Sequence, residues 1–291
     1  MAGQHESTIL TNPVNKGFAK RAELMSESRA IDLLGHLHTD LFFQEKLLLN
    51  GVDLKNKLTC SRDICFMSSA GDGTRFKLQM DSASLFVKKV RVSTGVRLAH
   101  AEALMTSTAK CPVDLVSMKM FSISAGAHVS KQDNLFLGQL PKMVVMALVD
   151  NDAFSSGFTK TPFHFKDYNI NFATVYVDGE QIPPKPFQPD FAMGNNVKEY
   201  MSLVQMAEKH LQDIPLLIDR DEFRNGYTLF AFDLSPDQEC ADHYSLIKTG
   251  NLRAEIRFAD ALFHTVNLIM YGVFDNIIEI NQNRNVLFDY M

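Results

Sequence analysis

From Arg29 onward the chain breaks into short apolar runs of strand length, separated by turn signals at close intervals. That spacing suits a β-sandwich or barrel and argues against alternating βαβ units. The first block of runs is Ile31–Phe43, Leu47–Cys60, Ile64–Met67, Phe76–Met80 and Leu85–Val92. Between Gly95 and Thr108 the period shifts: Val96, Ala99, Ala103 and Leu104 share one helical face and mark a junction. The second block is more regular. Val113–Ile123 alternates, Ala125-Gly126 turns the chain, and Pro141–Val149 is a continuous apolar run expected of a strand buried on both faces. Tyr168–Val177 ends in Asp178-Gly179, a dipeptide preferred in hairpins. Pro183–Pro189 holds four prolines in seven residues and cannot be an interior strand. Val197–Leu211 reads as a helix with Asn195 or Asn196 as N-cap. Tyr227–Leu234, Leu252–Phe258, Thr265–Phe274 and Ile277–Ile280 complete the strands.

The expected fold class is therefore all-β: a jelly-roll β-sandwich, one complete C-terminal jelly roll preceded by a partial one, with short helices in connections. Residues 1–28 are polar and read as a mobile arm, 29–93 as the partial first jelly roll, 94–109 as the helical junction and 110–291 as the complete second jelly roll.

Composition narrows the function. The 291 residues carry 22 Phe and no Trp, and large rings of this kind fill the space between packed sheets. A net charge of −5 gives no broad footprint for gripping nucleic acid, so no direct, sequence-specific contact with it is expected. No run of 18 apolar residues occurs that would span a membrane. Four cysteines (Cys60, Cys65, Cys111 and Cys240) form no C-x-x-C pair, and there is no N-x-S/T sequon. These features favour synthesis in a reducing compartment.

Several linked strings carry a resemblance. They are Asn134–Lys142 (NLFLGQLPK), Asp150-Asn151, Tyr176–Gln181 (YVDGEQ), Asn225–Asp237 (NGYTLFAFDLSPD), Lys248–Arg253 (KTGNLR) and Phe274–Ile280 (FDNIIEI). In these the chain resembles the major capsid protein of Polinton (Maverick) elements and adintoviruses. The order of elements, with Tyr200–Val204 and Phe232–Asp237, is similar more distantly to major capsid proteins of large DNA viruses. The likeness runs from about Asn15 to Tyr290.

The resemblance implies a non-enzymatic, double jelly-roll shell protein without cofactor, whose homotrimers form pseudo-hexagonal capsomers of an icosahedral virion. Partners would be neighbouring capsomers and a penton or minor capsid protein. Synthesis would be cytoplasmic, with nuclear assembly one option. The family carries two complete jelly rolls. With only about five candidate strands ahead of the junction, this chain reads as an N-terminally truncated or domesticated copy. The loops Asp150–Thr161 and Ile182–Asn196 are expected to make trimer and capsomer contacts.

No catalytic, cofactor-binding or metal residue is assigned. On a strand, His38-Thr39-Asp40 would place imidazole and carboxylate on one face. With His243 as third ligand and Arg253 holding a carboxylate, it would suit an Fe(II)-dependent jelly-roll oxygenase. The plainer reading is that His36, His38 and Asp40 form the polar face of an alternating strand. Ser68–Gly73 lacks the G-K-[ST] of a phosphate loop and reads as a surface turn. Lys89 and Arg91 share a strand face with Lys88 nearby, a solvated surface before a nucleic-acid contact. Cys111, followed by Pro112, has no identifiable partner, and the Met201, Val204 and Met206 stripe reads as packing. A host-retained jelly-roll binding module is the remaining alternative.

Overall fold

The computed structural model describes residues 16–43, 46–58, 79–155, 160–207, 216–235 and 248–288. Nine strands form the body: β1 (Ala109–Ile123), β2 (Val129–Gln132), β3 (Met143–Asp150), β4 (Ile170–Val177), β5 (Glu180–Phe187), β6 (Leu229–Asp233), β7 (Leu252–Phe258), β8 (Val266–Ile280) and β9 (Val286–Phe288). The helices are α1 (Lys16–Leu24), α2 (Asp40–Phe43), α3 (Thr94–Thr106), α4 (Asn151–Ser155), α5 (Val197–Met206) and α6 (Arg220–Arg224), with one 3₁₀ turn at Ser26–Ser28.

The strands make two antiparallel sheets. One runs β1-β8-β3-β6, with β9 also pairing β8; the other runs β2-β7-β4-β5. The first eight strands are thus shared four and four between facing sheets, and every connection among them except the β4–β5 hairpin crosses from one sheet to the other, which is the jelly-roll order. Alternation selects the core: Val144, Met146 and Leu148 of β3 and Phe230 and Phe232 of β6 meet Ala173 and Val175 of β4 and Ala254 and Ile256 of β7. Phenylalanine does the filling. Phe187 of β5 lies 6.2 Å from Phe230 and 5.1 Å from Phe232, ring centroid to ring centroid, so the two sheets are joined by rings along one side.

The second block follows the sequence closely. The turn residues Asp178 and Gly179 take φ of 50° and 93°, left-handed values that the two-residue hairpin between β4 and β5 demands. The proline-rich segment is a strand, but an edge one. β5 pairs only with β4, and the register jumps from Val175↔Ile182 to Ala173↔Phe187, so Pro183, Pro184 and Pro186 occupy a bulge where no ladder donor is needed. Thr265–Phe274 and Ile277–Ile280 fuse into one strand, because β1 pairs β8 without interruption from Val266 to Ile280. The helix is shorter than its periodicity suggests and ends at Met206. Its N-cap is Asn196, whose side chain makes no capping bond. It buries Glu199 and Leu203; of the methionine stripe, Met206 packs on the core while Met201 is exposed. Burial pushes the Glu199 carboxyl upward, outweighing the backbone bonds that it accepts.

The first block differs. The described parts of Ile31–Phe43, Leu47–Cys60, Phe76–Met80 and Leu85–Val92 contain no strand; they are irregular or extended backbone, apart from α2. Alternation prepares a strand, but only a ladder partner makes one, and the described residues between 29 and 93 find none. Ile64–Met67 and Ser68–Gly73 lie outside the described residues. The junction is α3, capped by the Ser93 side chain, which accepts from the Val96 N–H. No helix among the described residues is long and apolar enough to cross a membrane.

Phe232 is fully buried between the sheets. Phe232→Ala is expected to lower stability by about 3–5 kcal/mol, measured by urea denaturation, because the rings around it cannot close the cavity.

Candidate functional site

The strings that carry the resemblance lie far apart in sequence, yet four of them meet at one end of the sandwich. Asn134–Lys142 connects β2 to β3, Asp178-Gly179 connects β4 to β5, Lys248–Asn251 leads into β7, and Phe274–Ile280 is the second half of β8. Backbone bonds tie them: Leu135 N–H to Leu252 O at 2.9 Å, Leu140 N–H to Lys248 O at 2.8 Å and Asp178 N–H to Asn251 O at 2.9 Å. The Asp178 carboxylate accepts from the Asn251 N–H at 2.7 Å. Gly250 is required by this approach. A Cβ there would stand 2.5 Å from Asp178 Oδ2 and 3.0 Å from a Leu140 methyl, and Asp178 cannot swing aside without losing Asn251.

Beyond Val273, β8 leaves β3 behind, and side chains of the first string take over its cover. The buried Gln139 amide donates to Asp275 O at 3.1 Å, and Phe136 stacks edge-on against Phe274 at 5.3 Å. Lys142 closes the arrangement. Asp114 of β1 and Asp275 of β8 are directly opposite each other, a like-charge pair that would push the strands apart. Lys142 Nζ sits 2.7 Å from Asp114 Oδ1 and 3.0 Å from Asp275 Oδ1, bridging them. Its backbone is held as well, N–H to Val273 O at 2.8 Å and O from Leu234 N–H at 2.9 Å. Burial alone would lower the Lys142 ammonium, but the two carboxylates outweigh it and hold it above its ordinary 10.5.

The opposite end is organised around Asp150, at the end of β3. Its Oδ2 lies 2.8 Å from Lys160 Nζ and 3.4 Å from His264 Nε2, while Oδ1 accepts from the Asp152 N–H at 2.9 Å. Burial would raise this carboxyl, but Lys160 and the Asp152 amide outweigh that and keep it below its ordinary range. The Tyr168 ring packs on His264 at 5.8 Å, and burial pushes its phenol upward. Lys160 also reaches Asp152 at 3.1 Å and so pins the last part of the expected contact loop Asp150–Thr161 to the sandwich. The other expected loop, Ile182–Asn196, begins later than foreseen, since it is strand as far as Phe187.

The strand expected to carry His38 and Asp40 does not form. His38 lies in an irregular stretch just ahead of α2, which begins at Asp40, so the same-face geometry of a strand is lost for both the metal and the polar-face readings. His243 lies outside the described residues. Arg253 stacks 4.3 Å above the Tyr176 ring and lies 3.9 Å from Asp133. Among the described residues no group of three or more His, Cys, Asp or Glu could hold a metal ion. Lys88, Lys89 and Arg91 are exposed on backbone without regular structure, and Cys111 is a free, buried thiol of β1; the other three cysteines lie outside the described residues. Sequence reading passed over the Lys142 bridge and the Asp150 cluster. Lys142 and Asp275 stand inside quoted strings, but Asp114 carries no signal of its own.

An uncharacterized protein of Caenorhabditis elegans is 24% identical over 290 residues, covering 98% of this chain and 68% of that one. No protein-family model matches. Similar solved structures include a chain of the Sputnik virophage (13% identity, TM-score 0.41, covering 63% of this chain) and the mavirus major capsid protein (10%, 0.36, 63%). PBCV-1 VP54 is another, at 8% identity and TM-score 0.41 over 69% of this chain. The chain spans 39%, 42% and 55% of those three chains respectively. The jelly-roll assignment rests on the chain's own strand order.

Two substitutions probe this end of the sandwich. Lys142→Met should cost about 2 kcal/mol at neutral pH, between the limits for exposed and buried ion pairs. Because the folded state holds the Lys142 proton more tightly than the unfolded chain, its contribution is complete below pH 10.5 and fades as the pH rises past the raised value. The wild type's advantage over Lys142→Met in thermal denaturation should therefore shrink at strongly alkaline pH. Gly250→Ala should lose about 1–2 kcal/mol by the same measurement, through the broken Asp178–Asn251 bond.

Proposed function

We propose that this chain is a structural shell subunit of capsid type. The observation that carries the reading is the convergence of four capsid-like strings on one end of a sandwich with jelly-roll strand order. A jelly roll gives a stiff two-layer wall, while the connections at its ends remain available for contacts with neighbours. The Lys142 bridge, the Gly250 approach and the Gln139 contact brace one end; Asp150 and Lys160 brace the other. Every named interaction positions backbone or neutralises charge, which fits a building element without a catalytic role.

In this reading the chain is kin to the Polinton and adintovirus capsid proteins, and residues 29–93 belong to a first jelly roll. Residues 1–28 serve as an arm, 94–109 join the two parts, and 110–291 are the second jelly roll. The subunits form homotrimeric, pseudo-hexagonal capsomers that meet one another and a penton or minor capsid protein through 150–161 and 188–196. The product is a virion component, synthesised in the cytoplasm and assembled there or in the nucleus.

The full chain should run at trimer mass in size exclusion with light scattering, and closed particles should be visible by electron microscopy. Persistent monomers, alone and with coexpressed strands of a first jelly roll, would overturn the reading. So would stoichiometric iron lost on His38→Ala, measured by plasma mass spectrometry.

A further inference from the structure

Among the described residues ahead of the sandwich, several large apolar side chains are exposed. Leu34 is 92% exposed, and in 79–93 Phe86 is 83% and Val90 55% exposed. Large apolar groups scattered singly over a surface need no explanation, but a run of them on one extended segment marks a contact surface. The segment 79–93 is such a run. It pairs with no strand among the described residues, yet Leu85, Phe86, Val87, Val90 and Val92 give it the composition of a strand with two apolar faces.

The sandwich offers a surface of matching character. Along β1, alternation sends Cys111, Val113 and Ile123 inward and Asp114, Met118 and Met120 outward. Met118 is 63% and Met120 44% exposed, and thioethers on a sheet face adapt to varied apolar partners. Charge divides along the same line. Ahead of Ala109 the chain has 14 Lys and Arg against 11 Asp and Glu; from Ala109 onward it has 15 against 23. Within 79–93, Lys88, Lys89 and Arg91 outnumber Asp81. The extended segment is therefore apolar and basic, and the sandwich acidic with an exposed methionine face.

The segment does not lie on its own sheet, as the exposure of both surfaces shows. Nor does its apolar run suit pairing with its own counterpart: with Leu85–Val92 centred in antiparallel register, Lys88 would face Lys89 directly, which is destabilising. We propose that residues 79–93 of one copy dock on the outward, methionine-bearing face of the five-stranded sheet in a second copy of this chain. Reciprocal exchange closes a dimer, and head-to-tail exchange closes a ring. The contact gives the shell reading a specific link between subunits but does not depend on that reading, since an arm exchange needs no particle.

The test uses the full-length chain. Benzoylphenylalanine replaces Phe86, and equal amounts of ¹⁵N-labelled and unlabelled protein are mixed, irradiated and mapped by mass spectrometry. The expected product joins position 86 of one isotope to the β1 peptide containing Met118 of the other. Sedimentation should show association that weakens in high salt. Phe86→Asp and Met118→Asp, both at exposed sites, should each raise the dissociation constant at least tenfold while leaving the circular dichroism unchanged. Crosslinks confined to one isotope or mapping to another surface, or monomers at every concentration, would overturn the proposal. Crosslinked oligomers without particles would sink the shell reading and leave this one standing; particles whose position 86 crosslinks elsewhere would do the reverse.

Discussion

The architecture depends on the pairing of β8 with its neighbours. This one strand meets β1 over fifteen consecutive positions, β3 over eight and β9 over three, so it holds the first strand of the sandwich, a middle one and the last in a single sheet. Of its partners, β1 and β3 lie more than a hundred residues away along the chain, and that loop-closure cost must be met before the ladder returns anything. Burial repays it. Leu268, Met270 and Phe274 face the core from β8, and Gly272 between them has no side chain, so that Phe136 can pack where a Cβ would collide with it.

The same strand explains why charged groups gather where they do. Strand pairing fixes which side chains stand opposite each other, and it sets Asp114 against Asp275 whatever their mutual repulsion. A cation at the entry to β3 turns that conflict into a clamp across β1, β8 and β3. At the far end of β3, Asp150 is likewise surrounded by Lys160, His264 and a backbone amide. Both ends are closed by charge-assisted contacts to the connections, while the middle is closed by apolar packing.

How much could be read from the chain follows the range of each interaction. Local signals were faithful: Asp178-Gly179 makes its hairpin turn, and Leu252–Phe258 is a strand with those same limits. The prolines of β5 were rightly barred from the sheet interior, but local chemistry could not reveal that a bulge would admit them at the edge. The alternating runs before Thr94 show the limit most clearly. Their pattern is as strand-like as that of β1, yet no described partner exists for them, and an unpaired alternating run is only extended backbone.

The sequence by itself determined the class of fold, the strands β1, β3, β4, β6, β7 and β8 and the phenylalanine-rich interior, because period, turn chemistry and apolar volume are properties of neighbouring residues. Only the tertiary structure decided the strand order across each sheet, the meeting of four distant strings at one end, and the bridging of Asp114 and Asp275 by Lys142. Those facts depend on register between segments remote in sequence, and register is set by the combined burial of a whole sheet face, which no single stretch of chain contains.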